Sequence, residues 1–298
     1  MPDSVTQLLE RYRRDGHVFA LSRALSIIES APARSPELDP PPGDRPVHRI
    51  GVTGPGGAGK STLVGRLIGA YRRTGRRVAV LAIDPSSPVS GGSVLGDRLR
   101  MDWALDDGTF VRSLATRRAP GAVAVAAASM LRALESTGRF DVVLVETAGA
   151  GQADVAIAGL VDTVVLVTVP GLGDAVQAIK AGILEIADMA VVNMADRPGA
   201  DESARHLRTM LDGRIPVLAT VATDGSGVDE LLDGLDAAWT SLQASGELGR
   251  RRGEQARRQV LVTAANWLGE CMPDIAVERP LSAAVGALLE EAGRRWRT

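Results

Sequence analysis

Residues 54–61 read Gly54-Pro-Gly-Gly-Ala-Gly59-Lys60-Ser61. They follow a short apolar run, Arg49–Thr53, and precede Leu63, Val64, Leu67, Ile68 and Tyr71 at helical spacing, with Gly75 ending that helix. Strand, glycine loop and helix in that order form the context in which a G-x-x-x-x-G-K-[ST] pattern cradles a phosphate. Glycines let backbone N–H groups turn inward around phosphate oxygens, and the helix N-terminus adds partial positive charge. The predicted phosphate set is Gly54, Pro55, Gly56, Gly57, Ala58, Gly59, Lys60, Ser61 and Thr62. Lys60 reaches the β/γ-phosphates in this reading, and the Ser61 hydroxyl ligates Mg²⁺.

The same strand–helix alternation continues. Runs at Arg49–Thr53, Val78–Asp84, Asp141–Thr147, Thr163–Val169, Met189–Asn193 and Val217–Thr220 are continuously apolar. That pattern suits strands buried on both faces, and with intervening helices it predicts an α/β doubly wound, mostly parallel sheet of the P-loop NTPase class. Ahead of it, Val5–Ser30 reads as two short helices with a turn at Gly16, and the proline-rich Ala31–Arg45 as a linker. Beyond Gly227 the chain reads as wholly helical. The expected division is therefore 1–45, a nucleotide core over 46–227, and a helical arm over 228–298 that packs on the core or on a second subunit. Arg250–Arg258 reads as a solvated helix face or dimer rim rather than a patch for an anionic partner, and Trp239, Trp267 and Trp296 as core or interface anchors.

Composition narrows the function. The 298 residues carry 34 Lys+Arg against 36 Asp+Glu, a net charge of −2 with no basic footprint for nucleic acid. Only three Phe, four Trp and two Tyr are available for base stacking. A single cysteine, Cys271, excludes an intrachain disulfide and a multi-cysteine metal cluster, and His17, His48 and His206 are scattered. No apolar run reaches bilayer length, and Met1–Arg14 lacks a signal-peptide core, so a cytoplasmic protein with no membrane contact is expected.

Two further strand ends carry acids. Asp84 closes one run and is followed by a Gly/Ser/Pro-rich stretch; Glu146 closes another and is followed by Thr147-Ala-Gly149-Ala-Gly151-Gln152. A carboxylate beside a phosphate loop is placed to hold Mg²⁺. Glycines such as Gly149 open backbone N–H groups to a γ-phosphate, and Gln152 either orients a water or is an ordinary loop residue. Asn193-Met194-Ala-Asp196 follows the next strand but one. The segment resembles the Asn-Lys-x-Asp of guanine-reading P-loop proteins, whose Asp accepts two hydrogen bonds from guanine N1–H and N2–H₂, a donor pair that adenine lacks, at about 1–3 kcal/mol of discrimination by analogy with base reading in nucleic acids. Met194 stands where a lysine is usual, its thioether still able to lie on a purine face. Backbone groups of Val221, Ala222 and Thr223 supply a second base contact in this reading.

These motifs resemble the MeaB/ArgK-type GTPases, bacterial relatives of the methylmalonic aciduria type A protein. The most specific segment is Asp84-Pro-Ser-Ser-Pro-Val-Ser-Gly-Gly-Ser-Val-Leu-Gly-Asp97-Arg-Leu-Arg-Met101. Glu146–Gln152 is similar to that family's switch II, and Pro170-Gly-Leu-Gly-Asp174 through Gln177 and Lys180 to its third switch. The similarity runs from about Leu8 to Glu230, with the C-terminal arm alike only in helical character. It implies a G protein of the signal-recognition/MinD-type (SIMIBI) class, often a homodimer through the C-terminal arm. The implied work is Mg²⁺-dependent GTP binding and hydrolysis, slow without the partner, giving GDP and gating cofactor loading and protection of an adenosylcobalamin-dependent acyl-CoA mutase, usually methylmalonyl-CoA mutase. Carried over, Ser61, Asp84, Asp97 and Glu146 surround the metal, and Lys60, Asp97, Glu146 and Gln152 serve hydrolysis. Asn193 and Asp196 read guanine, and Asp174 and Lys180 couple to the mutase. The chain itself is not expected to bind cobalamin. An older label for the family, a kinase of the lysine/arginine/ornithine transport system, predicts ATP use instead. Departures from the family pattern are Met194 for Lys, Ala148 and Ala150 for Val, and Ala153-Asp154 for Ser-Glu.

Overall fold

Strand β2, Val78–Asp84, shows how the sequence builds the layers. Val78 and Val80 pack into one apolar cluster, whereas Ala79, Leu81 and Ile83 pack into another on the opposite face. Strand β4, Val142–Thr147, alternates the same way, as the two-residue period of a strand requires. Both sets are apolar because both faces are covered, which is why these strands read as unbroken hydrophobic runs. In this computed structural model the described residues are 3–30, 45–84, 107–115, 120–147, 149, 159–171, 181–272 and 281–296.

The remaining strands are β1 (His48–Thr53), β3 (Thr109–Ala115), β5 (Thr163–Thr168), β6 (Met189–Asn193) and β7 (Val217–Thr220). All pair in parallel, in the spatial order β3-β2-β4-β1-β5-β6-β7. β3 is absent from the sequence reading for a physical reason. It lies at the sheet edge, burying Phe110 and Leu114 while Arg112 pairs with Glu29 at 2.6 Å, so its composition is mixed.

Helices cover both faces. The helix after the glycine loop, α3 (Lys60–Arg73), shares one face with α7 (Val228–Ala244), whose Val228, Leu231, Leu232 and Leu235 join the cluster of Leu63, Leu67 and Tyr71. The other face carries α1 (Val5–Asp15), α2 (Val18–Ser30) and α4 (Pro120–Ser136). Gly16, at φ 70°, ends α1 in the left-handed conformation that a turn between two helices needs. Arg139 donates to the Tyr12 and Arg13 carbonyls at 3.2 and 2.9 Å, so the hairpin is fastened to the core. α5 (Ala181–Ile186) and α6 (Ala200–Met210) flank β6 and β7.

Two long helices end the chain, α8 (Glu247–Cys271) and α9 (Leu281–Trp296). The arginine-rich start of α8 is only partly the solvated face expected of it. Arg252 turns inward to the fully buried Asp162 carboxylate, at 2.9 and 2.7 Å, and to the Val47 carbonyl at 2.6 Å. Arg251 reaches the Asp162 carbonyl at 2.9 Å and the Asp188 carboxylate at 2.8 Å. Gln255 donates to the Val161 carbonyl at 2.6 Å. Trp239 stacks on the buried His48 ring at 4.4 Å, and Trp267 is buried with Cys271 and Ala292; the Trp296 side chain lies outside the described residues. Among the described residues no helix is long and apolar enough to cross a membrane.

Candidate functional site

β1 delivers the glycine loop to the carboxyl end of the sheet, where a doubly wound fold takes its ligands. Lys60 opens α3, and its ammonium donates to the Gly54 and Pro55 carbonyls at 2.8 and 2.9 Å. The residue is only 6% exposed, so its charge lies against these loop carbonyls rather than in solvent. Gly54 and Ala58 are buried, Pro55 and Gly59 half-buried, Gly56, Gly57 and Thr62 exposed. Gly149 lies against this loop at φ 79°. A Cβ there would meet the Gly54 carbonyl oxygen at 2.2 Å and Lys60 Nζ at 3.0 Å, so no side chain fits between the β4 end and the loop.

Glu146 is buried near the end of β4 and accepts a 2.5 Å hydrogen bond from Ser61 Oγ. The strand register sets Val52 beside Glu146 and Ala82 on its other side, so the β4 acid lies between β1 and β2. Asp84 closes β2 two residues beyond that pair; its side chain lies outside the described residues. Thr147 donates to Thr53 at 3.1 Å across the same strand ends, and both hydroxyls are buried. Asp97, Gln152, Asp174 and Lys180 all lie outside the described residues.

Asn193, at the end of β6, is 1% exposed and joins three segments. Its amide nitrogen donates to the Ala58 carbonyl at 2.8 Å, and its oxygen accepts from Thr220 Oγ1 and from Ala222 N–H, both at 3.1 Å. A Cβ on Gly59 would lie 2.5 Å from the Asn193 nitrogen, so the last loop glycine is the space in which this amide sits. Met194 takes a left-handed φ of 56°, uncommon for a side-chain-bearing residue, and turns the chain so that Asp196 reaches the surface. The loop after β7 is closed on itself by Val221 N–H to Ser226 O at 2.9 Å and Gly225 N–H to Val221 O at 2.9 Å. Val221 is half-buried, Ala222 buried and Thr223 exposed. The structure thus brings Lys60, Ser61, Glu146, Gly149, Asn193 and Ala222 to one sheet end.

Sequence reasoning missed Arg66. From α3 its guanidinium donates to the Ala222 carbonyl at 2.8 Å and also to the Thr223 carbonyl. An arginine on an amphipathic helix reads as a solvated charge, and nothing in the local pattern marks this one.

A family model described as methylmalonyl Co-A mutase-associated GTPase MeaB matches residues 23–272. A protein of Pyrococcus horikoshii is 41% identical over 271 residues, covering 86% of this chain and 84% of its own length. The mitochondrial methylmalonic aciduria type A homolog of Mus musculus is 36% identical over 219 residues, 70% of this chain and 52% of that one. Among solved structures, one titled LAO/AO transport system kinase superposes with a TM-score of 0.64 over 96% of both chains at 23% identity, a likeness of fold.

Proposed function

The chain belongs to the MeaB family of methylmalonyl Co-A mutase-associated GTPases, and on that premise we propose that it binds and hydrolyses GTP to gate cofactor loading and protection of an adenosylcobalamin-dependent acyl-CoA mutase. The observation that carries this reading is Asn193, whose three hydrogen bonds tie the phosphate loop to the end of β7 and the loop after it, the segments that hold phosphate and base in this reading. In it the backbone of residues 54–62 and Gly149 holds the phosphates, with the Lys60 ammonium moving from its own loop carbonyls to β/γ-oxygens. Asp196 accepts from guanine N1–H and N2–H₂, Met194 lies along the purine face, and Val221, Ala222 and Thr223 offer backbone groups to the base.

The donor set fits Mg²⁺. Ser61 Oγ and the Glu146 carboxylate are hard oxygen ligands 2.5 Å apart at the loop's mouth, and Mg²⁺ is usually held by one or two carboxylates plus substrate phosphates. Asp84 and Asp97 are assigned to the same metal side on the family resemblance. When bound, the ion neutralises developing charge on the phosphoryl oxygens. Around it, Lys60 stabilises charge, Glu146 holds the Ser61 hydroxyl in place, and Gln152 orients the attacking water. Asp174 and Lys180 face the mutase in this reading. We assign 46–227 as the GTPase core, 1–45 as an N-terminal extension, and 228–298 as a helical arm rooted in the core and offering its outer part to a second copy.

The test is calorimetric titration of GDP and ADP, each with Mg²⁺, into the purified protein. A GDP preference of tenfold or more, about 1.4 kcal/mol, is expected; equal binding or an ADP preference would overturn the guanine assignment. The mutase role is checked separately, by adding an adenosylcobalamin-dependent mutase and measuring GTP turnover. An unchanged rate and no complex would remove that part of the reading.

A further inference from the structure

We infer that Arg66 is a positioning residue for guanine selection, acting on the base through the loop after β7; this deepens the GTPase reading above and rests on it. Arg66 lies on α3, six residues after Lys60, on the helix that begins at the phosphate loop. Its planar guanidinium grips two successive carbonyls, those of Ala222 and Thr223. A guanidinium holds such a pair in fixed geometry, which a flexible ammonium cannot reproduce.

The Ala222 residue is consequently held from both sides. Its N–H donates to Asn193 Oδ1 at 3.1 Å, and its carbonyl accepts from Arg66 Nε at 2.8 Å. A trans peptide is planar, with N–H antiparallel to C=O. With the Ala222 carbonyl aimed at Arg66, the next N–H, that of Thr223, is aimed away from α3. A second constraint comes from the loop itself, where Asp224 N–H returns to the Val221 carbonyl at 3.2 Å and Ser226 N–H to Asp224 Oδ1 at 2.8 Å. Asn193 therefore fixes the peptide between Val221 and Ala222, and Arg66 fixes the next one, between Ala222 and Thr223, whose N–H is the oriented donor. An oriented backbone donor suits the guanine O6 acceptor and opposes the adenine 6-amino group, which is itself a donor. Selectivity arises in this way from a residue that touches no part of the nucleotide.

The experiment compares Kd for GDP and ADP, each with Mg²⁺, in the wild type, Arg66→Met and Arg66→Lys. Arg66→Met keeps an unbranched stem and removes the fork; thermal melting of each variant confirms that it is folded. The expected result is a GDP affinity about tenfold weaker in Arg66→Met with ADP affinity altered less than twofold, and partial recovery of the GDP:ADP ratio in Arg66→Lys. A role in stability alone would weaken both nucleotides together and leave the ratio unmoved, and that result overturns the inference. Absence of any GDP preference in the wild type would instead overturn the GTPase reading of the base site, so the two failures are distinguished within one set of titrations.

Discussion

At the amino end of the sheet, Asp162 is fully buried and its carboxylate takes the Arg252 fork and the Arg49 backbone N–H at 2.9 Å, while the Arg49 guanidinium closes on Glu135. At the carboxyl end, the Lys60 ammonium rests on two carbonyls of its own loop, and Ser61 and Glu146 share one hydrogen bond. Both ends bury charge. The first satisfies it with ion pairs between side chains, the second with bonds from Lys60 to loop carbonyls and from Ser61 to Glu146 that, in the proposed function, phosphate oxygens and a cation replace. One end is built to stay as it is, and the other, in the proposed function, is remade on binding.

The largest expected effect comes from attacking the fixed end. Asp162→Ala removes both carboxylate bonds of Arg252 and leaves the Arg49 backbone N–H without that acceptor, and loss of one partner of a buried pair costs about 3–5 kcal/mol. Urea unfolding should register that drop, and a loss below about 1 kcal/mol would mean the two ends are alike.

The same end carries a pH response. Burial holds the His48 imidazole down to a pKa of about 4, against 6.5 for the free side chain. The unfolded chain therefore takes up the proton first as pH falls. Stability is fully present above about pH 6.5 and declines toward pH 4, by at most about 3 kcal/mol. His48→Gln should flatten that slope in denaturation curves taken across the window; a slope equal to the wild type would assign it to other groups.

Lys60→Ala tests the replaceable end. Loss of the ammonium should weaken GDP binding about a hundredfold, roughly 2.7 kcal/mol, while unfolding stability moves by less than about 1 kcal/mol. Unchanged GDP affinity would break the phosphate-loop assignment.

The smallest effect concerns Thr168, at the end of β5, whose buried hydroxyl has no hydrogen-bond partner among the described residues. The nearly isosteric Thr168→Val removes an unsatisfied group and should raise stability by about 1 kcal/mol, seen as a higher urea midpoint. A lower midpoint would show that the hydroxyl is satisfied in solution.

The inner strands were legible in the sequence because burial on two faces leaves no room for polar residues, as in Val142–Val145 and Val164–Val167. β3 was not, since an edge strand with Arg112 directed to Glu29 carries no such run. Within the site, the glycine loop and Asn193 announce themselves because few residue types satisfy their geometry. Arg66, Arg251 and Arg252 do not. Where a long cation points depends on which carbonyl or carboxylate the fold brings within reach, and Asp162 stands ninety residues before its partner Arg252. The left-handed backbone of Met194 was equally hidden, being a consequence of the turn rather than of the side chain.

Helix α3 carries Lys60 and Arg66 on a single rod, and at 1.5 Å per residue they are spaced about 9 Å along its axis. In the proposed function the helix is in effect a ruler laid between the two ends of the nucleotide. Adding one residue between these positions would swing the guanidinium about 100° around the axis, off the Ala222 and Thr223 carbonyls. The phosphate grip would survive such an edit with its glycines untouched, while the register between phosphate and base would be lost.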